Sequence, residues 1–263
     1  MVDIKKLLHQ NPHLLDIKAE QGQRKRKKKY DEKIDSHFDK SHEISKRYVK
    51  KVKDLPQWET KYLNQMFDYG SKMGEEYAVS LEEVERLFNR VLFNYVKGGF
   101  LGAFISGMYS GILKRDNKIV LDLFNYYSVS GLGFRHAQGK LEVNGHRALY
   151  LGAEATGGEI LARGNMSNCV GKKNNGCTIT VEGNVRNWAG MEMKDGVIRV
   201  SGNAGDIPGE KMSGGEIIVE GNAGHWVGDD MSGGVIKIKG EFTPSEERTG
   251  GEIYRWRDGW VKI

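Results

Sequence analysis

The residues in this chain that could do chemistry are few and scattered. His9 and His13 stand four apart, the spacing of two ligands on one helix face, but Pro12 breaks the helix that would align them. His37 and His42 sit among charged residues. Asp229 and Asp230 could form an acid pair, yet neighbours on a strand point to opposite faces, so they read as exposed corner charges. The two cysteines, Cys169 and Cys177, are too few for a disulfide framework and suit a reducing, cytoplasmic compartment. "GLGFRH" (Gly131 to His136) is not a G-x-G-x-x-G fingerprint and no helix pattern follows it; a G-x-S-x-G elbow and a P-loop are missing too. The expectation is a chain with no catalytic residues, no metal ligands and no cofactor of its own.

What would position such residues is a repeat. Glycine makes up 35 of 263 residues and proline only 4, which is not the composition of a disordered linker. Gly145, Gly164, Gly183, Gly202, Gly221 and Gly240 recur at a constant spacing of 19, and seven residues after the first five stand Gly152, Gly171, Gly190, Gly209 and Gly228. Four and two residues before the key glycines, β-branched and aliphatic residues recur, Ile198 with Val200 and Ile217 with Val219 among them. That alternation is a strand with one face buried. One strand of this length cannot bury itself, but copies stacked about 4.8 Å apart can. The glycines then turn corners and the aliphatics build walls.

The expected fold is mainly β, a solenoid of about six 19-residue coils. Five residues after the key glycines, Tyr150, Cys169, Trp188, Ile207 and Trp226 are expected to point inward; ten after, Ala155, Asn174, Met193, Met212 and Met231 are expected to do the same. Asn165, Asn184, Asn203 and Asn222 form a hydrogen-bonded corner ladder, and Glu154, Lys173, Glu192, Lys211 and Asp230 an exposed ladder of alternating sign. His225 shares a polar corner column with Asn168, Asn187 and Asp206. Cys177 replaces a corner glycine, and no role for it is apparent. A divergent rung precedes Gly145, with Gly133 and Gly139 in register and Tyr126 at the key-glycine position; the last rung closes two residues early.

Three regions follow. Residues 1–56 are a charged basic arm, partly helical or disordered; 57–118 are helical; 119–263 are the solenoid and its cap. Residues 1–60 carry 16 Lys+Arg against 10 Asp+Glu, while the rest of the chain is nearly balanced. The run Arg24 to Lys29, "RKRKKK", could bind nucleic acid, but no aromatic residue interleaves it and a solvated tail is the plainer reading. Ser80 and Glu83 form a capping box before an amphipathic pattern from Leu81 to Tyr95. "FLGAFISGMYSGIL" (Phe100 to Leu113) is too short to span a membrane and reads as a buried segment. In the tail, Tyr254, Trp256 and Trp260 are either an interface anchor for a partner or a cap over the last coil.

Gly202–Gly205–Gly209 and Gly221–Gly224–Gly228 spell G-x-x-G-x-x-x-G. With "MSGGEIIVEGNAG" (Met212 to Gly224) this resembles the glycine-repeat β-helix family, which holds the β-helical subunit of formylmethanofuran dehydrogenase and the C-terminal domain of the glutamate synthase large subunit. The resemblance covers residues 120–251, about half the chain. It implies a right-handed, single-stranded β-helix and a non-catalytic role as a scaffold for the other protein subunits of an oxidoreductase complex. "GNAGHWVGDDMSGG" stands closer to the first branch; a glutamate synthase-type domain standing alone is the alternative, and a nucleic-acid-associated protein acting through Arg24 to Lys29 a third reading.

Overall fold

The computed structural model describes residues 101–114, 117–123 and 129–263 continuously, together with 63–65, 67, 68, 70–72, 74, 75, 80, 81, 84 and 85. Residues 1–56, including Arg24 to Lys29 and the four arm histidines, lie outside the described residues, as do Glu83, most of the amphipathic pattern and Tyr126.

Parallel strands β1 (Lys118–Asp122), β3 (Lys140–Asn144), β5 (Glu159–Arg163), β6 (Asn175–Glu182), β7 (Asp195–Val200), β8 (Ser213–Val219), β9 (Gly233–Ile238) and β10 (Glu252–Trp256) stack in chain order into one sheet. Strand β11 (Trp260–Lys262) joins it antiparallel to β10, and β2 (Val129–Ser130) pairs with β4 (Ala148–Leu149) on another side of the coil. The fold is therefore a β-solenoid of about seven turns, one more than the glycine count alone suggests. At ~4.8 Å per interval the stack is about 34 Å long.

The register confirms like-on-like stacking. Ile160, Ile179, Ile198, Ile217 and Ile236 are successive partners, continued by Leu141 and Ile119 at one end and Ile253 at the other, and all are buried. Val181, Val200, Val219 and Ile238 build the second inner column of the same wall. The opposite side is closed by Met193, Met212 and Met231 and by a further buried column, Leu151, Val170, Ala189 and Val227, that the glycine pattern does not announce.

Two coils depart from the common period. Ile253 pairs with Ile236, which makes the last coil two residues short, as the early "TGG" predicts. At the other end Ile119 pairs with Leu141, which makes that coil three residues long, while Val129 pairs with Ala148 on the regular period. The three extra residues fall between Asp122 and Val129. Leu123 lies beneath Gly145: its N–H bonds the Asn144 carbonyl, and a Cβ on Gly145 would press on it.

Helix α1 (Leu101–Ser110) covers the first coil. Its glycines let backbones touch: a Cβ on Gly102 would strike Ser130 and Leu132, and one on Gly107 would strike Phe67 and Ser71. So α1 lies between the helical residues near 67–74 and the solenoid end, buried along Ala103, Ile105 and Met108. Ser106 seals the joint. In the coils above, Gly152, Gly171, Gly190, Gly209 and Gly228 each donate an N–H to a carbonyl of the coil below. Gly133 has no coil below it, and its N–H is taken by Ser106 Oγ at 2.9 Å, which in turn donates to Gly102 O at 2.7 Å. Likewise Glu85 Oε1 accepts the edge N–H of Val120 at 2.6 Å. Ser106→Ala leaves the buried Gly133 N–H unsatisfied and is expected to cost about 1–3 kcal/mol in urea unfolding, whereas a neutral result would show that α1 does not seal the stack.

Candidate functional site

The sequence-predicted positions fall into stacked columns rather than into a cleft. The key glycines do two different jobs. Gly145 and Gly164 hold φ of 116° and 130°, which only glycine adopts readily. The later ones are not left-handed. A Cβ on Gly202, Gly221 or Gly240 would instead collide with the side-chain oxygen of Asn184, Asn203 or Asn222 in the coil below. That oxygen accepts the N–H of the residue just after the glycine: Asn203 N to Asn184 Oδ1 at 2.7 Å, Asn222 N to Asn203 Oδ1 at 2.8 Å, and Glu241 N to Asn222 Oδ1 at 2.8 Å.

The same device recurs three residues later. Asp206 N bonds Asn187 Oδ1 at 3.0 Å and His225 N bonds Asp206 Oδ1 at 2.9 Å, and the spaces are cleared by Gly205 and Gly224. The G-x-x-G spacing is thus two side-chain-to-backbone ladders running up one corner. The expected Asn ladder is present, but it bonds mainly to N–H groups. In the second coil His146 Nδ1 replaces the Asn oxygen and accepts Asn165 N–H at 2.9 Å. His225 is a member of the second ladder, its ring 3.3 Å from Asp206. The two hydrogen bonds from His225 hold the Asp206 carboxyl below its ordinary range.

The third corner is where expectation and structure part. Tyr150, Cys169, Trp188, Ile207 and Trp226 all have positive φ, between 52° and 62°. The left-handed backbone swings the side chain off the inward direction. Cover then decides burial: Tyr150 is buried against Leu63, Phe134 and Lys172, Trp188 is half-buried, and Trp226 is 56% exposed. The Trp188 and Trp226 side chains are not a core stack. Four residues on, Arg135, Glu154, Lys173, Glu192, Lys211 and Asp230 repeat the left-handed φ, between 51° and 57°. Among the described residues, eleven of the thirteen non-glycine residues with positive φ belong to these two columns. Strained backbone often marks an active site, but strain that recurs at every coil belongs to the architecture.

The charge ladder is only partly paired. Arg135 bonds Glu154 at 3.2 Å and Lys173 approaches Glu192 at 3.5 Å, whereas Lys211 turns to Glu210 at 3.3 Å. Arg135 also approaches Asp68, at 3.7 Å, so the ladder reaches the helical region. Its membership was legible: it stands one full period before Glu154.

The remaining nucleophile and ligand candidates are held in structure. Cys177 is buried, and burial pushes its thiol up to about 12. Where Gly196 takes φ of 92°, Cys177 does not, and at that turn the positive φ falls instead on Gly176, at 122°. The buried Asn174 amide compensates, bonding Cys177 O at 2.8 Å and Cys177 N at 3.0 Å. Asp229 accepts Ser245 Oγ at 2.6 Å. His136 is buried beside Tyr109, and desolvation lowers its pKa from the ordinary histidine value. The slot between Leu63, Phe134, Tyr150, Ala153 and Lys172 leaves no room for a water-sized molecule. Among the described residues no group of three His, Cys, Asp or Glu could hold a metal ion, and no helix is long and apolar enough to cross a membrane.

On the outer sheet face Glu142 is buried under three cations: Arg163 at 3.0 Å, Lys118 at 3.5 Å and Lys140 at 3.7 Å. The Arg163 hydrogen bond, more than the lysines, holds its carboxyl below the usual range. The tail forms a hairpin, with Trp256 opposite Trp260 and their rings edge to face at 5.3 Å, while Tyr254 bonds Glu252 at 2.6 Å. The three aromatics thus lie on the outer face of the last two strands, and neither a core cap nor a closed pocket is made from them.

Comparison of the chain with protein-family models and with curated proteins finds no match in either.

Two measurements probe these columns. Gly205→Ala should be destabilising by about 1–3 kcal/mol, and less so in an Asn187→Ala background, because the collision is with the Asn187 oxygen; a double-mutant cycle showing strict additivity would refute the shared ladder. For Glu142 the folded pKa is depressed, so its contribution is complete above the unfolded value near 4.3 and is lost as pH falls through the folded value. The stability gap between wild type and Glu142→Gln should therefore be constant above about pH 5.5 and shrink below about pH 4, as read from urea midpoints.

Proposed function

We propose that the chain is a non-catalytic scaffold subunit that holds the other proteins of a multi-subunit complex at fixed separation. One observation carries this reading: the coils are bonded to one another along their whole perimeter. From a single coil, Trp188 N and Glu192 N reach carbonyls of the next coil and Gly190 N and Ser201 N reach carbonyls of the previous one, in addition to the strand ladder and the two Asn ladders. A stack tied on every side resists bending and shear. Its polar side chains are engaged in holding that stack rather than converging on a reacting atom.

The resemblance of the G-x-x-G-x-x-x-G coils to the β-helical subunit of formylmethanofuran dehydrogenase and to the glutamate synthase C-terminal domain favours an oxidoreductase as the complex. In this reading the helical region and the far end of the rod are the two places where partners attach. The columns along the sides offer mixed, partly paired charges, which favour solubility over a broad hydrophobic contact.

The test is to tag the full chain at its native expression level and purify it. A stoichiometric assembly with redox turnover, together with no hydrolase, lyase or redox turnover from the isolated chain, is the expected outcome. Turnover by the isolated chain that a single substitution within 141–240 abolishes would replace the scaffold with an enzyme.

A further inference from the structure

The two ends of the stack are finished differently. Helix α1 closes the first, with Ser106 in place of a missing coil. At the other, the inner column that holds Val181, Val200, Val219 and Ile238 ends on Arg255, the register partner of Ile238. A guanidinium is a poor terminus for an apolar wall, because a charge loses hydration there. It lies over the Phe242 ring at 4.5 Å, and its Nη2 donates to Phe242 O at 2.9 Å. Nη1 stands 3.6 Å from Glu241, a carboxylate whose side chain is 86% exposed. Its Nε is buried and has no hydrogen-bond partner.

Val261 faces Arg255 across the hairpin, and Ile263 donates its N–H to Ile253 O, so both side chains continue the face that is core in every earlier coil. Here no further coil covers them: Val261 is 45% and Ile263 40% exposed. Arg248 reaches the same corner, its Nη2 on the Ile263 carbonyl at 3.0 Å. β11 is the last strand of the sheet, and the antiparallel alternation turns the backbone groups of Trp260 and Lys262 outward.

We propose that this end face docks an extended acidic segment of a partner subunit. The segment adds as a strand along β11, sets apolar side chains on Val261 and Ile263, and places a carboxylate on the half-used fork of Arg255 beside Arg248. This rests on the scaffold reading and names the chemistry of its partner. Strand addition uses the open edge for affinity and alternate side chains for specificity. The planar fork of arginine matches a carboxylate. A second copy fits worse: two β11 edges meeting would set Arg255 and Arg248 against the same cations.

The probes are two nine-residue peptides, one alternating Val and Glu, the other Val and Lys, added to the full chain at pH 7.5. The Val/Glu peptide should slow amide exchange at Trp260 and Lys262 at least tenfold at saturation, and the Val/Lys peptide should not. Val261→Asp and Arg255→Gln should each weaken Val/Glu binding at least tenfold; Val261→Asp, at an exposed site, should leave the melting temperature of the free chain unchanged. Equal binding of both peptides, or no protection at those two amides, overturns the proposal. So does sedimentation showing self-association that Val261→Asp abolishes, which would make the occupant a second copy. If the tagged wild-type chain and its Val261→Asp variant bring down the same assembly, the docking face falls and the scaffold stands. If the wild type brings down none, the scaffold reading falls, and the two peptides alone decide whether the face takes an acidic strand.

Discussion

Everything in this molecule depends on one constraint: each coil must present its backbone donors opposite the acceptors of the next. Buried N–H and C=O groups that fail to pair are costly. In a hairpin protein that requirement is met strand by strand. Here it is met around a closed perimeter, so a one-residue slip anywhere would misplace every later bond of that coil. The constant period of the glycines is the sequence record of this requirement. The left-handed corners follow from it: at Trp188, Gly190 and Glu192 the chain takes φ of 62°, 68° and 57°, and bonds from these residues still reach the neighbouring coils.

Glycine is the residue on which the constraint falls. At Gly190 the reason is double, since φ is positive and a Cβ would press on Ile217 of the inner wall. At Gly205 φ is ordinary, and the reason is the Asn187 oxygen that needs the space. Both present the same letter in the same repeat. The non-glycine members of the left-handed columns bear strain of about 1–2 kcal/mol each, which the surrounding bonds must offset. An architecture strained in this regular way is held by its neighbours, and its ends are the sites where that support has to come from elsewhere.

The ends therefore carry the functional interest. At one, a serine hydroxyl, a glutamate carboxylate and a small-residue helix take the places of a missing coil. At the other, the hairpin supplies one more strand but leaves an arginine at the tip of an apolar wall and two aliphatic side chains beside it half-exposed. The asymmetry suits a rod that is anchored within its own chain at one end and offers a surface at the other. The side columns, with Glu142 under Arg163 and Lys211 beside Glu210, are paired locally.

The sequence by itself determined the solenoid, its period, the inner isoleucine and methionine columns, the corner ladder of asparagines and the shortened last coil. These are legible because a repeat multiplies a weak local signal: one Gly-Asn is uninformative, four at a spacing of 19 are not. It also showed that His225 belongs to a corner column. Three features were decided only by the tertiary structure. Tyr150 and Trp226 share a left-handed φ that strand alternation does not foresee, and the cover from neighbouring residues buries the first and leaves the second exposed. The lengthened first coil hides its register, because its extra residues leave no glycine to mark them and only pairing between β1 and β3 shows that Leu123 lies beneath Gly145. And the pairing of Ser106 with Gly133, or of Arg255 with Phe242, joins residues whose partners follow no period, since an end is by definition where the repeat stops supplying the neighbour.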